Sequence, residues 1–176
     1  MRLFISVELS EKAKETVLDM QTLLRAQNPG IRGNFISKEN FHITLAFIGE
    51  YPDDQEISEI LSSVRFRPFT VSLDRVGSFG DLFWVGTTPS KELSILASQV
   101  RRGLGASSIP YDRKPFKPHI TFLRRPDRSV SLVLPSDYVF PSFSVSEFHL
   151  MSSTRGKHGM IYQSLACFEA DREGTK

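Results

Sequence analysis

Residues Phe41–Phe47 read F-H-I-T-L-A-F, and the chain returns to the same wording at His119 as H-I-T-F-L-R. Side chains on a β-strand alternate between two faces. One face of the first stretch therefore carries Phe41, Ile43 and Leu45, and the other carries His42 and Thr44. In the second stretch Ile120 and Phe122 share a face, with His119 and Thr121 opposite. A fold for this chain must bury two apolar strand faces while presenting two histidine–threonine pairs outward.

The segments around these strands also recur in order. Leu3–Leu9 alternates as a strand, and Ser10-Glu11 then reads as an N-cap with an acidic first turn. Ala13, Val17, Met20, Leu23 and Leu24 follow at helical spacing to about Ala26, where Asn28-Pro29-Gly30 stops the helix. Ile31–Asn40 is an approach loop into the first histidine strand, which Gly49 and Pro52 close. Asp53–Val64 is a second helix, and Phe69–Phe79 with Leu82–Thr87 is a hairpin turning at Gly80-Asp81. Lys91–Leu104 is a third helix, and the basic loop Gly105–Pro118 leads into the second histidine strand. Arg124–Pro141 is irregular, Phe143–Ser152 and Met160–Phe168 form a last strand pair around a loop at Ser153–Gly159, and Asp171–Lys176 is a polar tail.

Strand, helix, loop and histidine strand thus occur twice. Phe69-Thr-Val-Ser72 is echoed 74 residues later by Phe143-Ser-Val-Ser146, and His119 follows His42 by 77 residues. These near-equal offsets predict an internal duplication, with two equivalent strands meeting about a pseudo-twofold axis. The expectation is one domain over residues 1–176, built from two pseudo-symmetric lobes. A content of 14 phenylalanines against one tryptophan favours β-rich structure. The predicted class is α+β, with bilobal, duplicated antiparallel sheets flanked by helices around a central cleft.

The net charge of +2 argues against tight, sequence-blind binding of RNA. The charge is nevertheless uneven: Arg101, Arg102, Arg113, Lys114, Lys117, Arg124, Arg125 and Arg128 bracket His119. Such a cluster is ordinarily solvated surface, and here it raises the prospect of anion binding. Cys167 is the single cysteine, which precludes an intrachain disulfide and fits a reducing compartment. The opening M-R-L-F-I-S-V-E-L-S has too short an apolar core for a signal peptide, and no apolar run reaches membrane-spanning length. A soluble, cytoplasmic monomer is expected, with no membrane partner.

One strand histidine is ordinarily structural; two, each with threonine two residues on and on the same face, suggest chemistry. Imidazole titrates near neutral pH, so one copy can act as base while the other acts as acid. That division suits in-line displacement at phosphorus. The threonine hydroxyls would donate to non-bridging phosphoryl oxygens, and Arg124 would clamp the same phosphate from the strand end. The scheme needs neither metal nor cofactor.

The match extends beyond the two motifs, His42-Ile43-Thr44-Leu45 and His119-Ile120-Thr121-Phe122. R-L-F-I-S-V-E-L, K-E-N-F-H-I-T-L-A-F-I-G-E, G-S-F-G-D-L-F-W-V-G, F-K-P-H-I-T-F-L-R and R-G-K-H-G-M-I-Y together resemble the 2H phosphoesterase superfamily. Within it they resemble the bacterial RNA 2′,3′-cyclic phosphodiesterases, historically called 2′-5′ RNA ligases. The resemblance implies hydrolysis of RNA 2′,3′-cyclic phosphate ends to 2′-phosphate. It further implies His42 as proton donor to the departing O3′, His119 as proton acceptor from water, and Thr44, Thr121 and Arg124 as phosphate ligands. The approach loop departs from the pattern: G-N-F-I-S-K stands where many relatives carry a tryptophan and prolines, which leaves Phe35 open as a base-stacking residue.

His149 and His158 lack a threonine at the second position onward and read as structural or incidental. Four scattered histidines and one cysteine match no zinc-ligand spacing, and Cys167 in an apolar strand reads as a buried thiol. Arg155 and Lys157 are alternatively RNA-backbone contacts or solvated, and Phe116 and Tyr111 are core residues or base platforms. The alternatives to hydrolysis are the reverse 2′-5′ ligation, cleavage of another small cyclic phosphate or 2′-5′ oligonucleotide, and a non-catalytic module that holds an RNA end.

Overall fold

The computed structural model describes residues 1–172. Strand β1 (Arg2–Glu8) leads into helix α1 (Glu11–Gln27), followed by a two-residue strand β2 (Asn34–Phe35), a 3₁₀ turn (Lys38–Asn40) and strand β3 (His42–Glu50). Helix α2 (Asp54–Leu61) precedes the hairpin β4 (Phe69–Phe79) and β5 (Leu82–Thr87). Helix α3 (Lys91–Ala106), strand β6 (His119–Arg124), and strands β7 (Ser142–Val145), β8 (Glu147–Gly156) and β9 (Gly159–Glu169) complete the order. The strands form two antiparallel sheets, ordered β3-β1-β8-β9 and β2-β6-β5-β4-β7.

The predicted helices α1 and α3 form where the apolar spacing placed them. Ser10 Oγ accepts from the Ala13 amide and Ser90 Oγ from the Leu93 amide, so a serine caps each N-terminus. Ala13, Val17, Met20 and Leu24 of α1 are fully buried, as are Leu93, Leu96, Ala97, Val100 and Leu104 of α3. These stripes pack on Ile43 and Leu45 of β3 and on Ile120 and Phe122 of β6, within one continuous core. Complete burial of one such large side chain contributes roughly 1.5–3 kcal/mol. The core therefore fixes which faces of β3 and β6 turn inward, and the histidines must take the other.

The helices are exchanged between the sheets. α1, which follows the first strand of one sheet, packs against β6 of the other, and α3 packs against β3. From α1, Gln21 Nε2 donates to the Phe122 carbonyl (2.9 Å) and to the Ile36 carbonyl (2.8 Å). From α3, Arg101 Nε donates to the Leu45 carbonyl (3.0 Å) while its Nη1 donates to the Lys114 carbonyl (2.7 Å). Leu45 and Phe122 each stand three residues after a motif histidine, so the two bonds occupy equivalent places. An unpaired carbonyl at a buried strand edge is costly. Arg101 satisfies the Leu45 carbonyl on the edge strand β3, and Gln21 adds a second bond to the Phe122 carbonyl, which also accepts from the Ile36 amide.

Several boundaries differ from expectation. The segment Phe143–Ser152 is two strands, not one: Phe143 and Val145 pair with β4, whereas Phe148 and Leu150 belong to the other sheet. The apolar phase slips by one residue across Ser146-Glu147, and a strand that reverses its faces must leave its sheet. Most of the expected loop Ser153–Gly159 is also strand, since β8 and β9 remain paired to Gly156↔Gly159 and only Lys157-His158 turn. The approach loop contains β2 and the 3₁₀ turn, and α2 stops at Leu61 because Ser62 and Ser63 bond back to Glu59 and Ile60 carbonyls. The echo Phe69–Ser72 and Phe143–Ser146 marks not equivalent strands but mutual partners, with Val71 opposite Phe143. The predicted polar tail is described as far as Arg172; its last four residues lie outside the described residues.

Candidate active site

His42 is held from both sides of its ring. Its Nδ1–H donates to the Asn40 carbonyl (2.7 Å), and Nε2 is 2.9 Å from Thr44 Oγ1. Asn40 is itself fixed, because its Nδ2 donates to the Met160 carbonyl of β9. Phe4 stands 5.0 Å from the imidazole centroid and Tyr162 meets it edge-on at 5.5 Å. Burial among these rings disfavours the cation and lowers the His42 pKa from 6.5 to about 4, against the upward pull of the Asn40 carbonyl. The charge of Arg124 and the proximity of His119 push it the same way as burial.

His119 repeats half of this arrangement. Its Nδ1–H donates to the Lys117 carbonyl (2.6 Å), again two residues back along the chain. Its ring meets Phe79 edge-on at 5.3 Å and lies 6.4 Å from Trp84. Burial lowers this pKa too, with Arg124 adding to the effect. In both rings the bonded Nδ1–H leaves Nε2 as the atom available for chemistry. The copies differ in one respect. Nε2 of His42 is engaged by Thr44, whereas Nε2 of His119 has no hydrogen-bond partner among the described residues.

Thr44 and Thr121 lie on the faces shared with His42 and His119, as the alternation predicted, and both are half-buried. Arg124 ends β6, paired with Asn34 of β2 and Leu82 of β5. Its charge lowers the pKa values of His42 and His119 and acts on Tyr162, so the guanidinium stands within electrostatic range of all three. Arg125, with φ 50°, takes the left-handed turn that ends the strand, and its amide donates to the Asp81 carbonyl. The structure thus brings His42, His119, Thr44, Thr121 and Arg124 to one cleft.

Beyond His119 the cleft widens into a cavity of about 790 Å³, whose wall includes Arg75, Phe79, Trp84, Thr87 and Lys117. Trp84 Nε1 and Thr87 Oγ1 are buried without partners, and both residues line it. The Trp84 indole lies across Gly77; a Cβ there would stand 2.4 Å from it, so glycine is required. This cavity was not foreseen, although the glycine-flanked run G-S-F-G-D-L-F-W-V-G carried the signal.

Other expectations are resolved less favourably. Phe35 stacks beneath the Arg25 guanidinium of α1 at 4.0 Å, so its ring is already engaged. Arg101 of the basic cluster serves as the brace on β3, and Arg128 donates to the Pro29 carbonyl. Phe116 packs on the core and also lines the cavity beside His119. Cys167 is exposed, contrary to the buried thiol expected, because β9 is the outermost strand of its sheet. Burial, with the neighbouring carboxylates adding to it, pushes the thiol up to about 12, which makes it a poor nucleophile. His149 is buried, with Nδ1 2.8 Å from Ser164 Oγ. Among the described residues no helix is long and apolar enough to cross a membrane.

Two antiparallel sheets that each present an H-x-T strand to a shared cleft define a two-histidine phosphoesterase architecture. The family model of the 2′-5′ RNA ligase superfamily matches residues 20–157, and the chain belongs to that superfamily. It is 32% identical to an RNA 2′,3′-cyclic phosphodiesterase of Archaeoglobus fulgidus over 96% of this chain and 100% of that one. It is 30% identical to the Escherichia coli protein of the same name, over 93% of each chain. The crystal structure of Escherichia coli LigT complexed with 3′-AMP superposes with a TM-score of 0.82, at 28% identity and covering 97% of this chain and 98% of that one.

Proposed function

We propose that this protein hydrolyses 2′,3′-cyclic phosphate ends of RNA to 2′-phosphates. The observation that carries the reading is the pair of imidazoles, each anchored through Nδ1–H to a carbonyl and facing one cleft with its own threonine and a common arginine. Water is deprotonated by Nε2 of His119 and attacks phosphorus. The P–O3′ bond breaks on the opposite side, and O3′ takes the proton from Nε2 of His42, leaving a 2′-phosphomonoester and a 3′-hydroxyl. The unengaged Nε2 of His119 suits the base. Thr44, Thr121 and Arg124 hold the non-bridging oxygens as charge develops on them.

Both imidazoles are neutral at pH 7 while the cleft is empty, given their lowered pKa values. The bound phosphodiester anion supplies the negative charge that favours a proton on His42, so substrate itself loads the acid. The nucleoside preceding the cyclic phosphate lies in the cavity beyond His119, where Phe79 and Trp84 offer aromatic surface. The chain acts as a soluble cytoplasmic monomer on RNA or oligonucleotide ends.

The test is product analysis with an oligonucleotide ending in a 2′,3′-cyclic phosphate, in excess chelator. Wild-type protein should give the 2′-phosphate, and His42→Ala or His119→Ala should lower turnover by roughly 10²–10⁴-fold. Retention of the 2′-phosphate product at wild-type rate in either variant would remove the acid–base assignment.

A further inference from the structure

On the concave face of the first sheet, two strands away from β3, three side chains of different chemistry converge. Glu147 and His149 are two residues apart on β8 and so share a face; Cys167 on β9 is the register partner of His149. His149 in turn pairs with Ser6 of β1, and Ser6 with Thr44. The row Thr44–Ser6–His149–Cys167 therefore crosses the sheet on the side that carries the motif residues. Strand spacing puts the cluster on the order of 10 Å from Thr44.

A carboxylate oxygen of Glu147, an imidazole nitrogen of His149 and Sγ of Cys167 all lie within 4.8 Å of one another. The Cys167 thiol donates to Glu147 Oε2 at 2.7 Å, and His149 Nε2 stands 3.5 Å from Glu147 Oε1. That nitrogen is buried without a hydrogen-bond partner, in a residue only 9% exposed. Nothing in the acid–base chemistry accounts for it. Ligands around a tetrahedral zinc ion, at about 2.0–2.3 Å from the metal, are separated from each other by roughly 3.3–3.7 Å. The Glu147–His149 pair already stands at that spacing, and the Cys167–Glu147 pair reaches it by opening from 2.7 Å as the thiol proton leaves.

We propose that Glu147, His149 and Cys167 bind one zinc-class divalent cation. A thiolate, an imidazole and a carboxylate form a borderline-soft donor set that favours zinc over the all-oxygen cations magnesium and calcium. The bond between His149 Nδ1 and Ser164 Oγ fixes the ring with Nε2 directed to the cluster, as outer-shell partners of metal-bound histidines do. Binding replaces the thiol proton with the metal–sulfur bond and releases one H⁺. Glu8 and Glu169, whose charges also reach the thiol, attract the cation. The fourth position opens to solvent at the exposed Cys167, and the ion clasps the edge strand β9 to β8.

The test uses the tag-free chain, stripped with chelator and titrated with Co²⁺ and, in competition with a chromophoric chelator, with Zn²⁺. One equivalent of Co²⁺ should produce thiolate-to-cobalt charge-transfer absorption, and Zn²⁺ should raise the thermal midpoint. Cys167→Ser should abolish the absorption, and Cys167→Ser and Glu147→Gln should each weaken zinc at least roughly tenfold. His149→Gln should do the same; if it fails to fold, the two more exposed positions still decide the question. Absence of the charge-transfer band from wild-type protein, or zinc affinity unchanged in Cys167→Ser and Glu147→Gln, would overturn the assignment.

Discussion

Acidification reaches His42 late in the folded protein and early in the unfolded one. Unfolded, its imidazole titrates at 6.5; folded, at about 4. Between these values the unfolded chain carries a proton that the native ring refuses, so the unfolded state binds more protons. Stability then rises with pH through the window and is lost as pH falls from about 6.5 to about 4. A difference of about 2.5 pKa units at 1.36 kcal/mol each gives roughly 3 kcal/mol, a large part of a typical folding free energy. The perturbation is His42→Asn, which keeps a donor for the Asn40 carbonyl but does not titrate in this range. Urea unfolding of both proteins at intervals from pH 7 to pH 4 isolates the effect, since all other groups are common to the two. The variant is less stable at pH 7, having lost ring packing against Phe4 and Tyr162, yet its stability should fall by about 3 kcal/mol less than that of wild type. Parallel curves, with a gap that changes by under about 0.5 kcal/mol, would refute a neutral His42 in the native cleft.

The same lowered values place the kcat/KM optimum for a cyclic-ended oligonucleotide on the acid side of pH 6.5, because the free enzyme loses its acid as pH rises and its base as pH falls. A pH–rate profile peaking above pH 7.5 would contradict this. Arg124→Met removes a charge that lowers both histidines, so the optimum should move alkaline while kcat/KM drops roughly ten- to hundredfold with the lost phosphate contact. Arg101→Met strips the donor from the Leu45 carbonyl, and Gln21→Met strips the Ile36 carbonyl of its donor and the Phe122 carbonyl of one of two; each should cost about 1–3 kcal/mol in urea unfolding.

Much of this site was legible because its determinants are local. Alternation alone turned His42 and Thr44 away from Ile43 and Leu45, and the second motif fixed where the partner set would come from. Helices α1 and α3 followed from apolar spacing, and the Ser10 cap of α1 was visible as a residue type before an apolar-periodic run. The break at Ser146 was also written in the chain, as a one-residue slip between Phe143, Val145 and Phe148, Leu150. It was missed because Phe143, Val145 and Phe148 favour strand on both sides of the break, and propensity carries no information about which sheet a strand joins. The Glu147–His149–Cys167 cluster belongs to another kind. Seventeen residues of hairpin separate His149 from Cys167, and only the register of β8 against β9 brings them opposite. The exchange of helices between sheets is likewise a property of packing, for a Gln21 or an Arg101 in an amphipathic helix looks like ordinary solvent-facing polarity.

That exchange bears directly on how the cleft works. If each helix packed only on its own sheet, the two sheets could swing apart with little loss, and the histidines would meet only when substrate drew them together. Instead the first unit's helix holds the second unit's motif strand, and the reverse, through bonds to carbonyls three residues beyond each histidine. Opening the cleft would break both bonds and expose Leu24, Leu104, Ile43 and Phe122, all fully buried in a core shared by the sheets. At roughly 1.5–3 kcal/mol for each large apolar side chain, such an opening approaches the cost of unfolding. The two imidazoles are therefore preorganised rather than assembled by closure. In the proposed reaction, substrate binding then has only to supply the charge that loads His42.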